Sequence, residues 1–335
     1  MTQTQDEFWT CTVDEWLGKW LEEWMLAKKW GTVRGYRAQC KANISPYIGK
    51  IPIDELKVED INRLYKTLAD NGLAPKSIRN IHGIIHEALA IAYELGGIRK
   101  NPADCRHVIQ LPKMVKDEIR PFANEQIKTF LDLVRGDQFE NYYKVILWTG
   151  MRESEALGLT WDCVNLTEGR IRVEKQLQKR PISEGGCCFA PLKNNRTREL
   201  VVGSAVVEIL RTEQKRQEKD QLRSGKNWMV WTDERFPRSA LVFTTSDGNH
   251  LSHSAVRRHY KSLVEKMGIP QSRIHDLRHT YAVLAIQNGD DIKTVQENLG
   301  HATAAFTLDV YGHVLDHMRV ASATRMDKYI ASISP

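Results

Sequence analysis

The sequence predicts a mainly α-helical protein of two domains, with one small antiparallel β-sheet confined to the second. Three observations lead there. Helical periodicity with capping signals fills residues 12–95. Gly96-Gly97 and Asn101-Pro102 then stop the pattern ahead of an aperiodic stretch at 106–122. Beyond it, short β-type runs are interleaved with helical ones, and no internal repeat is present. At 335 residues the chain is long enough for two domains and at least one large core.

The first segment reads as a helical bundle. Thr12-Val13-Asp14-Glu15 fits a capping box, with Thr12 as N-cap and Glu15 three residues on. Trp16, Leu17, Trp20, Leu21, Trp24 and Met25 follow at helical spacing, a stripe read as core rather than as a base-stacking surface. A second helix is expected over residues 32–44, a turn from Pro46 to Pro52, and further helices over 58–68 and 75–95. Residues 106–122 hold two prolines and the basic residues Arg106, Lys113, Lys116 and Arg120. They are expected to form an exposed linker at which two domains can hinge. The domains are accordingly set at 1–105 and 123–335. In the second, helices are expected at 125–134, 142–148, 152–159, 204–222, 253–267, 274–288 and 292–299, and strands at 163–166, 170–176 and 198–202. Charge-dense residues 213–225 read as a solvated helix end.

Composition narrows the function classes. With 41% hydrophobic and 27% charged residues, the chain has the make-up of a globular protein. No apolar run approaches the roughly 18 residues of a membrane span, and the opening MTQTQDEFWT lacks a signal-peptide pattern, so a cytosolic protein is expected. The six cysteines form no CxxC pair and no zinc spacing, and are expected as free thiols. There is no P-loop and no carboxylate cluster with metal spacing, so neither metal nor cofactor is expected. Net charge is +6. Residues 1–110 hold 15 Lys+Arg against 14 Asp+Glu, so nearly all the excess lies beyond them. Such a charge permits a nucleic-acid partner, provided basic side chains are sorted onto one face.

Four polar groupings stand at element ends in the second segment. In TGMRESEALGLTW (149–161), Arg152 opens a helix beside free N–H groups and the positive dipole end, a ready anion site. In HDLRHT (275–280), His275 and Arg278 share a helix face at i and i+3. Two helix-borne guanidinium forks, Arg152 and Arg278, can clamp one phosphodiester and neutralise charge that builds on it. In LGH (299–301), Gly300 fits a left-handed C-cap that projects His301. In DVYGH (309–313), Tyr311 lies ten residues past His301. Each alone is unremarkable; their order and spacing together are not.

Arg…HxxR…LGH…Tyr resembles the tyrosine recombinase, or phage integrase, family, and the four boxes match its signatures almost residue for residue. The first segment, with Thr32–Tyr36 as T-x-x-x-Y, SPYIGKIPIDEL and the closing NP, is similar to the family's SAM-like core-DNA-binding domain. The resemblance therefore covers essentially the whole chain and implies a C-shaped DNA clamp. It implies that Arg152 and Arg278 are the two arginines, His275 the histidine of HxxR, His301 the His-or-Trp position and Tyr311 the nucleophile. The β-hairpin lysine is best matched by Lys193 in PLKNNRTR (191–198), with Lys175 and Lys179 as competitors. Glu155 matches an acidic position that supports the site in relatives.

The chemistry then follows from the residue types. A phenol of pKa about 10 is a weak nucleophile at neutral pH. Cationic neighbours favour its phenolate, and His275 can accept or relay its proton. Attack on phosphate gives a 3′-phosphotyrosyl ester, Lys193 protonates the departing 5′-oxygen, and a 5′-hydroxyl of a partner strand reseals the DNA. The ester stores the bond energy, so neither ATP nor metal is needed. Arg34, Arg37, Lys41, Lys76, Arg79, Arg257 and Arg258 are candidate phosphate contacts. The implied partners are double-stranded recombination sites, three further copies of the chain in a tetramer on two sites, and accessory DNA-bending or excision factors; no membrane is involved. The implied place is the bacterial cytosol or nucleoid, and the implied task integration and excision of a mobile element. A Xer-like resolvase, a type IB topoisomerase and a non-catalytic DNA-binding derivative are the alternatives. The chain opens almost directly on the helical segment, with no arm-binding domain visible before it.

Overall fold

The structure, a computed structural model, describes residues 10–333 except 106, 115–118, 182, 184, 185, 194 and 231–239; the side chains of 306, 312–322 and 325 fall outside the description. The chain divides into two compact units, Met1–Asp117 and Glu118–Pro335.

In the first unit, α1 (Val13–Lys19) starts at the expected capping box: Glu15 N–H donates to Thr12 Oγ1 at 3.3 Å, and Thr12 N–H to Glu15 Oε2 at 2.7 Å. It runs on as a π-helical turn, Trp20–Trp24. Likewise α2 (Trp30–Gln39) runs on as Cys40–Ile44, the turn that carries Lys41. Then come α3 (Ser45–Ile48), α4 (Val58–Asp70) and α5 (Pro75–Glu94). The tryptophan stripe is core: Trp16, Leu17, Trp20, Leu21 and Met25 are buried among Ile44, Leu64 and Ile85. Trp24 departs from that expectation at 42% exposed, because the wide turn shifts the helical phase and carries it off the stripe. α3 replaces the start of the expected 46–52 turn, with Pro46 in its first turn, where no N–H is needed. Part of the expected linker is docked rather than exposed. Ile109 and Leu111 pack against this core, while Asn62 donates to Val108 O at 3.0 Å and accepts from Gln110 N–H at 2.9 Å. Arg106 and Lys116 lie outside the described residues.

The second unit is built from α6 (Asn124–Leu133), α7 (Glu140–Thr149), α8 (Glu153–Leu157), β1 (Val164–Asn165), β2 (Arg170–Val173), β3 (Lys175–Lys179), β4 (Cys187–Pro191), β5 (Arg198–Val201), α9 (Ser204–Ser224), α10 (His253–Lys266), α11 (Ile274–Gln287), α12 (Ile292–Leu299) and α13 (Ala304–Ile333). β2 lies between β1 and β5, all antiparallel, with Ile171 opposite both Val164 and Leu200. β3 pairs antiparallel with β4, Leu177 opposite Phe189. The single strand expected at 170–176 is thus broken at Glu174 and shared between two sheets. The β3–β4 hairpin is absent from the sequence prediction because neither strand holds a β-branched residue. Tyr143 at the centre of the core packs edge-on against Phe130 and beside Tyr260. Helices α7 and α11 pack together through this core and bring the ends of α7, α11 and α12 to one place. Among the described residues, no helix is long and apolar enough to cross a membrane.

Candidate active site

The site begins at two helix C-termini. α7 ends on Gly150 (φ 65°) and α12 on Gly300 (φ 62°), both left-handed caps that leave carbonyls pointing outward. A Cβ at Gly150 would run into the Tyr281 ring and Leu299, so glycine is required for space as well as conformation. Arg278, 1% exposed on α11, bridges the two ends: Nη1 donates to Gly150 O at 2.7 Å and Nη2 to Leu299 O at 2.6 Å. Arg152 Nη2 donates to Gly300 O at 3.1 Å. Carbonyls at helix C-termini carry the negative dipole end, so they hold guanidinium groups well. Burial, then Arg152, work against the charge of Arg278, while Glu155 and Tyr311 support it.

Glu155 fixes Arg152. Its carboxylate is 1% exposed. Oε1 accepts from Arg152 Nη1 at 2.6 Å and Arg198 Nη1 at 3.1 Å; Oε2 accepts from Arg198 Nη2 at 2.6 Å and the Arg152 N–H at 2.9 Å. Burial opposes its charge, but Arg198 and then Arg152 outweigh burial and hold the carboxyl at about 2. At the N-terminus of α8, expected as an anion site, Glu155 Oε2 takes the Arg152 N–H. Arg198, at the start of β5, is absent from the sequence prediction. Its Nε also donates to Asn298 O at 2.8 Å, which ties the sheet to the end of α12.

Three histidines and Tyr311 complete the grouping. His301 follows the α12 cap; its Nδ1 lies 2.9 Å from Thr307 Oγ1, and burial, then Arg278 and Arg152, push its pKa down to about 3. His275 and His279 meet edge-on at 4.8 Å along α11. The protein around His275, then His279 and Arg278, also push its pKa down. Tyr311 sits in α13, fully buried among Ala282, Val283, Ile286, Val295 and Leu299. Its hydroxyl lies 2.7 Å from Nδ1 of His279, the rings 5.7 Å apart at 61°. Burial raises the phenol to about 12 against the opposing influence of Arg278, and burial lowers His279 to about 4. The Tyr311 hydroxyl thus meets His279, and His275, the residue expected to accept or relay its proton, meets the His279 ring. One signal was available: His279 stands four residues from His275, on the same helix face.

The lysine candidates separate. Lys175 is 3% exposed, its Nζ 3.1 Å from Glu174, 3.5 Å from Cys163 Sγ and 3.7 Å from Asp162, and over the Phe189 ring. It fills the one grouping of potential metal ligands among the described residues, Asp162, Cys163 and Glu174. Lys193 is exposed in the β4–β5 turn, while Lys179 ends β3. Asn194 and the side chain of His313 lie outside the described residues. Arg34, Arg37, Lys41, Lys76, Arg79 and Arg258 are exposed. Of these, Arg34 covers the Trp30 ring at 5.3 Å and Arg79 donates to Pro112 O at 3.0 Å. Arg257 makes a two-pronged pair with Glu153 at 2.9–3.0 Å.

Comparison with known proteins gives the family of the chain. Residues 121–318 match the phage integrase family, and residues 12–69 its N-terminal SAM-like domain. The chain belongs to the phage integrase family. It is 26% identical over 340 residues to a tyrosine recombinase XerC-like protein of Caldanaerobacter subterraneus subsp. tengcongensis, covering 97% of this chain and 85% of that one. It is 26% identical to the ICEBs1 integrase of Bacillus subtilis, covering 85% and 74%. The fold is similar to that of the Tn1549 transposon integrase in complex with transposon right end DNA, with a TM-score of 0.79, 22% identity and coverage of 94% and 99%. The protein is a tyrosine recombinase, an enzyme that breaks and rejoins DNA strands.

Proposed function

We propose that the chain cuts and rejoins DNA at specific sites through a 3′-phosphotyrosyl ester on Tyr311, for integration and excision of a mobile element. The observation that carries this reading is the convergence of Arg152 and Arg278 on the ends of α7 and α12, with Tyr311 within electrostatic reach of Arg278. Arg152, Arg278 and His301 hold the non-bridging oxygens, with Glu155 fixing Arg152. Lys193 protonates the leaving 5′-oxygen. Residues 1–105 grip the core DNA site and 123–335 perform the chemistry. Four copies act together, because exchange between two duplexes requires four strand cuts and each copy supplies one tyrosine. The exposed Met326, Tyr329 and Ile330 of α13 supply an apolar face for a neighbouring copy. Double-stranded recombination sites are the substrate, and the bacterial cytosol is the place of action.

A nicked suicide duplex tests the reading. The native chain is expected to give a covalent protein–DNA adduct on a denaturing gel, and Tyr311→Phe none. An adduct that persists in Tyr311→Phe overturns it.

A further inference from the structure

We propose that His279 is a catalytic residue, the base that takes the phenol proton as Tyr311 attacks. The inference rests on Tyr311 being the nucleophile. Two observations carry it. Nδ1 of His279 lies 2.7 Å from the Tyr311 hydroxyl, inside the reach that a general base needs. The side chains that pack on Tyr311 in its apolar cluster, Ala282, Val283, Ile286, Val295 and Leu299, offer no lone pair.

The imidazole is in the right form for this work. Burial, followed by Arg278 and Arg273, keeps it neutral, and only Asp276 pulls the other way. A neutral ring with its proton on Nε2 presents the Nδ1 lone pair to the tyrosine. Arrival of a phosphodiester anion beside Arg152 and Arg278 adds negative charge and favours the imidazolium.

The step balances. The Tyr311 O–H bond breaks and its proton passes to Nδ1, while a bond forms between Oη and phosphorus. The bond from phosphorus to the 5′-oxygen breaks, and that oxygen takes a proton from Lys193. In resealing, the incoming 5′-hydroxyl returns a proton to Lys193 as its oxygen bonds to phosphorus, the bond from Oη to phosphorus breaks, and Tyr311 recovers its proton from His279. No oxidant, reductant or cofactor enters.

His279→Asn separates proton transfer from positioning, because the amide oxygen can accept the same hydrogen bond but cannot take the proton. At saturating suicide substrate, His279→Asn and His279→Ala are both expected to slow adduct formation by about 10²–10⁴-fold, with DNA binding and melting temperature near native. A His279→Asn rate within threefold of native, or a faster one, overturns the proposal. As a second measurement, a fluorinated tyrosine at 311, whose phenol ionises more readily, is expected to narrow the gap between His279→Asn and the native chain; an unchanged gap also overturns it. Tyr311→Phe run alongside isolates the underlying reading: an adduct there defeats the nucleophile assignment itself.

Discussion

At the scale of single residues, the site is governed by how buried charges are paired. Buried Glu155 holds two guanidinium groups, so removing its charge leaves Arg152 and Arg198 without their shared carboxylate. Breaking such a buried pair costs about 3–5 kcal/mol, and Glu155→Gln is expected to fall near that range in chemical unfolding. The pH dependence has a definite sign. The folded pKa of about 2 lies below the usual 4.5. The stabilisation is therefore present above about 4.5 and is lost as pH falls through the folded value. Melts between pH 5 and 2 should show a steeper loss for the native chain than for Glu155→Gln; equal slopes would remove Glu155 from the account. Arg198 explains why sequence reading reached only part of this cluster. Its spacing is that of an ordinary strand residue, and only the fold brings it 43 positions back to Glu155.

At the scale of elements, two left-handed helix ends decide where the arginines go. Gly150 carries both a positive φ and a closed space. Gly150→Ala is expected to cost at least about 1–3 kcal/mol from backbone strain. It should also displace Tyr281 and the carbonyl that Arg278 uses, so adduct formation falls more than stability alone accounts for. A variant that melts lower yet cleaves normally when folded would separate Gly150 from the site. Elements were legible where periodicity is undisturbed, as in α4 and α5, whose buried positions Ile61, Leu64, Leu68 and Ile81, Ile85, Ala88 recur every three or four residues. They were not legible where charge enters the core. β3 carries Lys175 inward and β4 ends on a proline, so neither looks like a strand.

At the scale of the whole molecule, α13 combines two roles on one helix. Tyr311 near its start is buried, while Met326, Tyr329, Ile330 and Ile333 further along are 50–64% exposed. On the proposed tetramer, this apolar surface is the face offered to a neighbouring copy. Replacing Met326 and Tyr329 with Asp is expected to leave single-site DNA binding intact while abolishing the complex of two paired sites, read by native gel and light scattering. Retained pairing would remove the helix end from assembly.

The sequence by itself determined the helical periods, the cap signals and the order Arg152, Lys193, His275, Arg278, His301, Tyr311, because each rests on spacing along the chain. Tertiary structure decided what those groups touch: Arg278 on the Gly150 and Leu299 carbonyls, Arg198 on Glu155, His279 on Tyr311. Such contacts depend on which buried polar atoms still lack a partner after the helices pack, and spacing along the chain carries no record of that.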